Sequence, residues 1–231
     1  MSRHGHGRVE IIQAAQTLFA QRGIDLVSSR EILALAKQRN QSAVQYHFGS
    51  RNGLIQAAFL ERFKKIDKRR VELLASQDLV GDASELSDID RLDRLLEAIV
   101  IPLVDEAATE PGRDFIRFAA QVVQRPGFSV DHLARDPALP GLRRAIRELR
   151  GHVRDLRPAV QSLRAHMIFH LVFGTLRSWV DGQLGSVSRA TITRELLTVL
   201  SDVVDSRAAT RSRRLADHAP RGRHEDCRNS D

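Results

Sequence analysis

The sequence predicts an all-α fold of about nine helices, divided into a small N-terminal group of three and a larger C-terminal group. Two observations lead there. Leu, Ala, Arg and Val dominate while aromatic residues make up only 5% of 231 residues, a balance that favours helices over sheets. Apolar residues also recur at intervals of three and four along most of the chain, the spacing that lines one face of a helix.

Each element follows from that pattern and its punctuation. Val9, Ile11, Ile12, Ala15, Leu18 and Phe19 mark a first helix over about 8–22, stopped by Gly23. Ser28 or Ser29 caps a second over about 29–36, with Ile32, Leu33 and Leu35 apolar. A third spans about 41–47 and is broken by Gly49-Ser50; Ser50 then caps a fourth that carries Leu54, Ile55, Ala58, Phe59 and Phe63 to about residue 76. Residues 77–88 read as a loop. Leu92, Leu95, Leu96, Ile99 and Leu103 make the next helix, which Pro102 should kink or end. Residues 114–124 are compactly amphipathic, closed by Pro126-Gly127, and a loop with Pro137 and Pro140 leads to an Arg-rich helix over 141–156. The most apolar stretch, about 158–184, precedes a last helix over about 189–207, with Gly182 and Gly185 between them. Residues 208–231 lack periodicity and are expected to form a disordered basic tail.

Charge is unevenly placed. Residues 1–53 carry seven Lys/Arg against three Asp/Glu, 54–206 balance at 22 of each, and 207–231 carry seven against four, within a net charge of +7. A basic N-terminal module on a neutral body suits a polyanionic partner, although a solvated Arg-rich surface gives the same count. The single cysteine, Cys227, excludes an intramolecular disulfide framework and a cysteine-built zinc site. No apolar run of membrane-spanning length and no signal-like opening is present, so the expected location is the cytoplasm.

The segment Gln41 to Arg51 is the most informative. Val44 and Phe48 lie one turn apart and can enter a core, whereas Gln41, Ser42, Gln45 and Tyr46 project a polar, aromatic-bearing surface from the other side. Gln can bond an adenine edge through two hydrogen bonds, and Tyr offers a hydroxyl to phosphate and a ring to thymine methyls or sugars. Tyr46 and His47 could instead pack beside Phe48, and the glutamines could simply be solvated.

Residues 8–59 resemble the N-terminal DNA-binding domain of the TetR (tetracycline-repressor) family of bacterial transcription regulators. Ile12, Ala15, Leu18-Phe19, Gly23, Ile32, Ala36, Val44, Tyr46-His47-Phe48, Gly49, Arg51 and Leu54 carry the likeness. It implies a helix-turn-helix domain over 1–53 whose third helix enters the major groove, in a homodimer that spans an inverted-repeat operator in double-stranded DNA. It further implies a C-terminal ligand-binding and dimerisation domain over 54–207, in which an unknown small-molecule effector releases a repressor from DNA. By the same resemblance Gln41, Ser42, Gln45 and Tyr46 fall where bases or phosphates are met, and His47 and Arg51 fall at backbone contacts. Ser28 or Ser29 falls where a hydroxyl and a helix N-terminus approach phosphate. Two departures stand out. The turn Lys37-Gln38-Arg39 before Asn40 is one residue longer than usual and lacks the common Gly, which can alter a turn dihedral and bring Lys37 and Arg39 to phosphates. Gln45 replaces a frequent aromatic and shifts that position toward hydrogen bonding.

In the body, Phe115 with Phe118 and Phe169 with Phe173 recur at helical spacing, as core or as the lining of a ligand pocket. His166 and His170, at i and i+4, suit an internal cavity or core hydrogen bonds better than a metal, since no HExxH pattern or carboxylate cluster accompanies them. Two long apolar helices have more surface than one domain needs, so a four-helix dimer bundle through Leu176, Trp179, Leu196, Leu200 and Val203 is expected. No cofactor, metal or catalytic residue is expected, for neither a nucleophile elbow nor a phosphate-binding Gly loop occurs. The competing reading is a helical interaction or ligand-carrier protein of the same fold that binds no specific DNA.

Overall fold

The computed structural model describes residues 3–78 and 87–204, which form ten helices and no strand. The tail 208–231 with Cys227, most of the loop read at 77–88, and the end of the last helix at 205–207 lie outside the described residues. A head is built from α1 (Arg3–Arg22), α2 (Ser29–Leu35) and α3 (Ala43–Phe48). The body follows with α4 (Arg51–Asp78), α5 (Asp88–Ala107), α6 (Glu110–Val123), α7 (Val130–Leu133), α8 (Pro140–His152), α9 (Pro158–Val180) and α10 (Arg189–Val204).

Caps explain several boundaries that periodicity misses. Ser87 and Asp90 form a reciprocal capping box, so α5 starts a turn before its first buried apolar residue, Leu92. Pro102 neither ends nor shortens α5, because Pro102, Leu103, Val104 and Ala107 are all buried and their packing outweighs one missing hydrogen bond. Thr109 accepts from the Gly112 amide at 3.1 Å and starts α6 before Asp114. The helix absent from the sequence reading is α7, a single turn capped by Ser129.

The long helix α4 ties head to body, packing against α1 and α3 on one side and α5 and α8 on the other. Midway along it sits a buried ion pair: Arg70, 0% exposed, contacts Asp67, 1% exposed, at 2.5 Å. The Asp67 carboxylate also accepts the Gly141 and Leu142 amides at 2.8 and 2.7 Å, and thereby caps the N-terminus of α8. Arg70 donates to the Ala98 carbonyl of α5 at 3.1 Å and lies over the Phe63 ring. Three helices of the body are thus joined at one polar node.

Seven phenylalanines knit the rest of the body. Phe59, Phe63, Phe173, Phe169 and Phe128 form a closed circuit of ring contacts at 5.0–6.4 Å between centroids. Phe115 and Phe118 extend it along α6 to Phe19 of α1, which stacks on Phe118 at 5.5 Å. Each ring pair adds about 0.5–1.5 kcal/mol beyond its area burial.

Candidate nucleic-acid interface

The head places the predicted contact residues by satisfying its own backbone first. Ser28 caps α2 in a reciprocal box with Glu31: the Glu31 amide donates to the Ser28 hydroxyl at 3.2 Å, and the Ser28 amide donates to the Glu31 carboxylate at 2.8 Å. Those bonds, with Arg22 at 2.6 Å, hold the Glu31 carboxyl down at about 2. Ser28 is therefore committed to the cap, while Ser29 stands half-buried in the first turn.

The turn into α3 takes a left-handed backbone without a glycine. Lys37 takes φ 54, the one non-glycine residue with positive φ among those described. Its amide and that of Gln38 close the end of α2 onto Ala34 and Leu33. Gln38 donates to Glu10 of α1 at 2.8 Å, which docks the turn against the first helix. The Asn40 side chain accepts the Ser42 amide at 2.9 Å, so Asn40 is spent on shaping the entry and α3 starts at Ala43, two residues later than periodicity suggests.

The two faces of α3 separate as its sequence implies. Val44 is buried and Phe48 half-buried under the Arg8 guanidinium. Gln41, Ser42, Gln45 and Tyr46 are exposed, Tyr46 by 71%, and Lys37, Arg39 and Asn40 are exposed beside them. His47 is half-buried with its ring edge-on between Tyr46 and Phe48.

Arg51 differs from expectation. Its Nη2 donates to the Ile24 carbonyl at 2.5 Å and also to the Val27 carbonyl, and its guanidinium lies 5.5 Å from the Phe19 ring centroid. Two carbonyls left open by the α1–α2 turn draw the charge inward, away from a free phosphate-facing position. Sequence reading also missed Gly53. A Cβ there would stand 2.0 Å from the Phe48 carbonyl oxygen, so the end of α3 rests directly on the first turn of α4. A glycine where a good helix former is expected was the available signal. Gly49, at φ 69, turns the chain between the two helices.

The body residues sort less simply. Phe115, Phe118, Phe169 and Phe173 are buried in the ring circuit and its extension along α6. His166 is half-buried, its ring nitrogens 3.1 Å from the Ser162 carbonyl and 3.3 Å from that of Phe128. His170 is exposed and so lines no interior cavity of the single chain. A groove of about 840 Å³ lies elsewhere, between α5 and α10, lined among others by Glu97, Ile101, Asp105, Thr193 and Leu197. For the dimer face, Leu176, Leu196 and Leu200 are corrected: each is 3% exposed or less, turned into the chain's own core. Trp179 and Val203 are half-buried, Trp179 donating to the Val187 carbonyl at 2.9 Å. The outward apolar residues are instead Leu163, Met167 and Val199, at 58%, 49% and 44% exposure. Among the described residues no three His, Cys, Asp or Glu side chains gather into a metal-binding group, and no helix is long and apolar enough to cross a membrane.

Residues 11–58, which run from within α1 through α2 and α3 into the start of α4, match the family model described as bacterial regulatory proteins, tetR family. The N-terminal domain is thus similar to that of the tetR-family bacterial regulatory proteins. Among solved structures, a TetR-family regulator from Streptomyces coelicolor A3 is similar over 88% of this chain and 97% of that one, at 21% identity and a TM-score of 0.52. A TetR-family transcriptional regulator from Rhodococcus sp. is similar over 87% and 100%, at 21% identity and a TM-score of 0.47. RolR in complex with resorcinol is similar over 87% and 94%, at 18% identity and a TM-score of 0.47. The curated proteins contain no significant match. The likeness to the Streptomyces structure extends the shared helical fold beyond the head, over 88% of the chain.

Proposed function

We propose that this protein is a sequence-specific DNA-binding transcriptional regulator, a homodimeric repressor released from an inverted-repeat operator by a small-molecule effector. The observation that carries the reading is the exposed row Gln41, Ser42, Gln45 and Tyr46 on a short helix whose other side is locked by Val44 and by the backbone contact at Gly53. A rigidly seated helix with unengaged amide side chains suits the reading of base edges in a major groove. Lys37 and Arg39 flank that row, exposed and cationic, where phosphates would run.

Dimerisation is supported by the outward apolar residues Leu163 and Met167 on α9 and Val199 on α10, helices that already pack on each other. Effector control is supported by the aromatic circuit, which joins α9 to α4 and, through Phe59 and Phe115, extends to α6; α4 and α6 both touch the head. A ligand that bound better with those rings parted would shift the head only by its differential affinity for the two arrangements. Such a regulator works in the cytoplasm.

The test is Gln45→Ala against every single-base variant of a duplex enriched by the wild-type protein from a random pool. Discrimination should fall by about 1–3 kcal/mol at one base position per half-site and stay intact elsewhere. Indistinguishable profiles for variant and wild type would sink the assignment of α3. A helical carrier without DNA specificity would enrich no duplex at all.

A further inference from the structure

Ile24 sits in the turn between α1 and α2, 1% exposed, and its peptide groups are gripped from two directions. From the body, the Gln121 side chain of α6 accepts the Ile24 amide at 2.9 Å and donates to the Phe19 carbonyl at 3.2 Å. From the head's junction with α4, Arg51 donates to the carbonyls of Ile24 and Val27. Around this clamp Phe19 stacks on Phe118 of α6 beneath the Arg51 guanidinium, and Asp25 pairs with Arg125 at the end of α6 at 2.7 Å. A single turn is therefore bonded at once to the helix that carries Phe115 and Phe118, the extension of the aromatic circuit, and to the first residue of α4, just past the recognition helix.

We propose that Ile24 is the joint that sets the orientation of the reading head on the body, with Gln121 and Arg51 as its two positioning residues. The inference rests on the DNA-reading function above. Gln121 bonds inward to the α1–α2 turn, so its influence on DNA must pass through that turn. A displacement of α6 pulls the Ile24 amide, and the opposite face of the same residue transmits the pull to Arg51 and the start of α4. Arg51, by this account, aligns α3 rather than neutralising a phosphate.

The experiment uses the full chain and a duplex enriched by the wild-type protein. Gln121→Leu keeps the volume and removes both hydrogen bonds. It should expose the Ile24 amide to hydrogen exchange and weaken binding about tenfold, the scale set by two such bonds. The slope of affinity against salt should not change, because the number of neutralised phosphates stays the same. Gln121→Glu keeps the acceptor for Ile24 and should restore protection of that amide. Arg51→Ala should likewise weaken binding at constant slope, whereas removing a cation that neutralises a phosphate would reduce the slope by about 0.9. Melting curves separate these effects from unfolding. Wild-type affinity in Gln121→Leu, or a slope lowered by about 0.9 in Arg51→Ala, overturns the joint. A wild-type protein that enriches no duplex refutes the DNA-reading function instead; unchanged Ile24 exchange in Gln121→Leu would still overturn the joint alone.

Discussion

Replacing Arg70 by Met should be among the most damaging single changes in the body. The guanidinium is fully buried, pairs with Asp67 at 2.5 Å, donates to Ala98 at 3.1 Å and lies 5.4 Å from the Phe63 ring centroid. Burial pulls its pKa below the ordinary arginine value while Asp67 pushes it back up, so the charge is retained by its partner. Methionine fills much of the volume but leaves the Asp67 carboxylate buried without its cation, held only by the Gly141 and Leu142 amides. Breaking one side of such a pair costs about 3–5 kcal/mol, a large share of the stability of an ordinary domain. At about 2–4 °C per kcal/mol for a chain of this size, the melting temperature should fall by about 6–20 °C. Scanning calorimetry or thermal circular dichroism reads it directly. Adding Asp67→Asn to Arg70→Met removes the stranded charge and keeps one acceptor, and should recover at least about 1 kcal/mol. A single variant that melts within about 2–4 °C of wild type would refute the claim that this node holds α4, α5 and α8 together.

Three further outcomes follow from the head. Gly53→Ala places a Cβ 2.0 Å from the Phe48 carbonyl oxygen, so the end of α3 must lift from α4. The clash should cost about 1–3 kcal/mol in melting and disrupt duplex binding, and wild-type binding would contradict the seating described. Lys37→Gly removes the side chain from a residue at φ 54 and should stabilise the fold by up to about 1 kcal/mol, measured by denaturant unfolding, with destabilisation as the contrary result. Glu31 should titrate near 2 in the folded protein against an ordinary value of 4.5. Because the folded value is the lower one, its contribution to the cap is complete above about 4.5 and fades as pH falls toward 2. A side-chain NMR titration with a midpoint near 4.5 would show that the Ser28 box does not form in solution.

What was legible in the sequence was whatever is local. Helix periodicity located nine of the ten helices, and the opposition of Val44 to Gln45 and Tyr46 was enough to announce a two-faced α3. The single turn α7 escaped because four residues carry no period. Pro102 misled for a different reason: burial of its neighbours overrode a local penalty. Leu176, Leu196 and Leu200 were misread as outward because an apolar helix surface says nothing about which stripe its own chain will cover. Leu196 and Leu200 face inward on α10, whereas Val199 between them faces out. The long-range polar contacts were beyond reach altogether. Gln121 reads as one more surface amide until the fold brings it to Ile24, 97 residues away along the chain. Arg51 looked free for phosphate because nothing local reveals that the turn at residues 24–27 leaves carbonyls pointing at it.

On the proposed function, the exposed face of α3 reads a DNA sequence twice, once from each protomer of a symmetric dimer. The most direct measurement is footprinting of the purified full chain on the DNA flanking its own coding region, at near-physiological salt and in the presence of excess nonspecific duplex. The expected result is protection of an inverted repeat whose half-site centres are separated by about one helical turn or a multiple of it. Protection without internal symmetry, or uniform weak protection that vanishes with competitor, would contradict it.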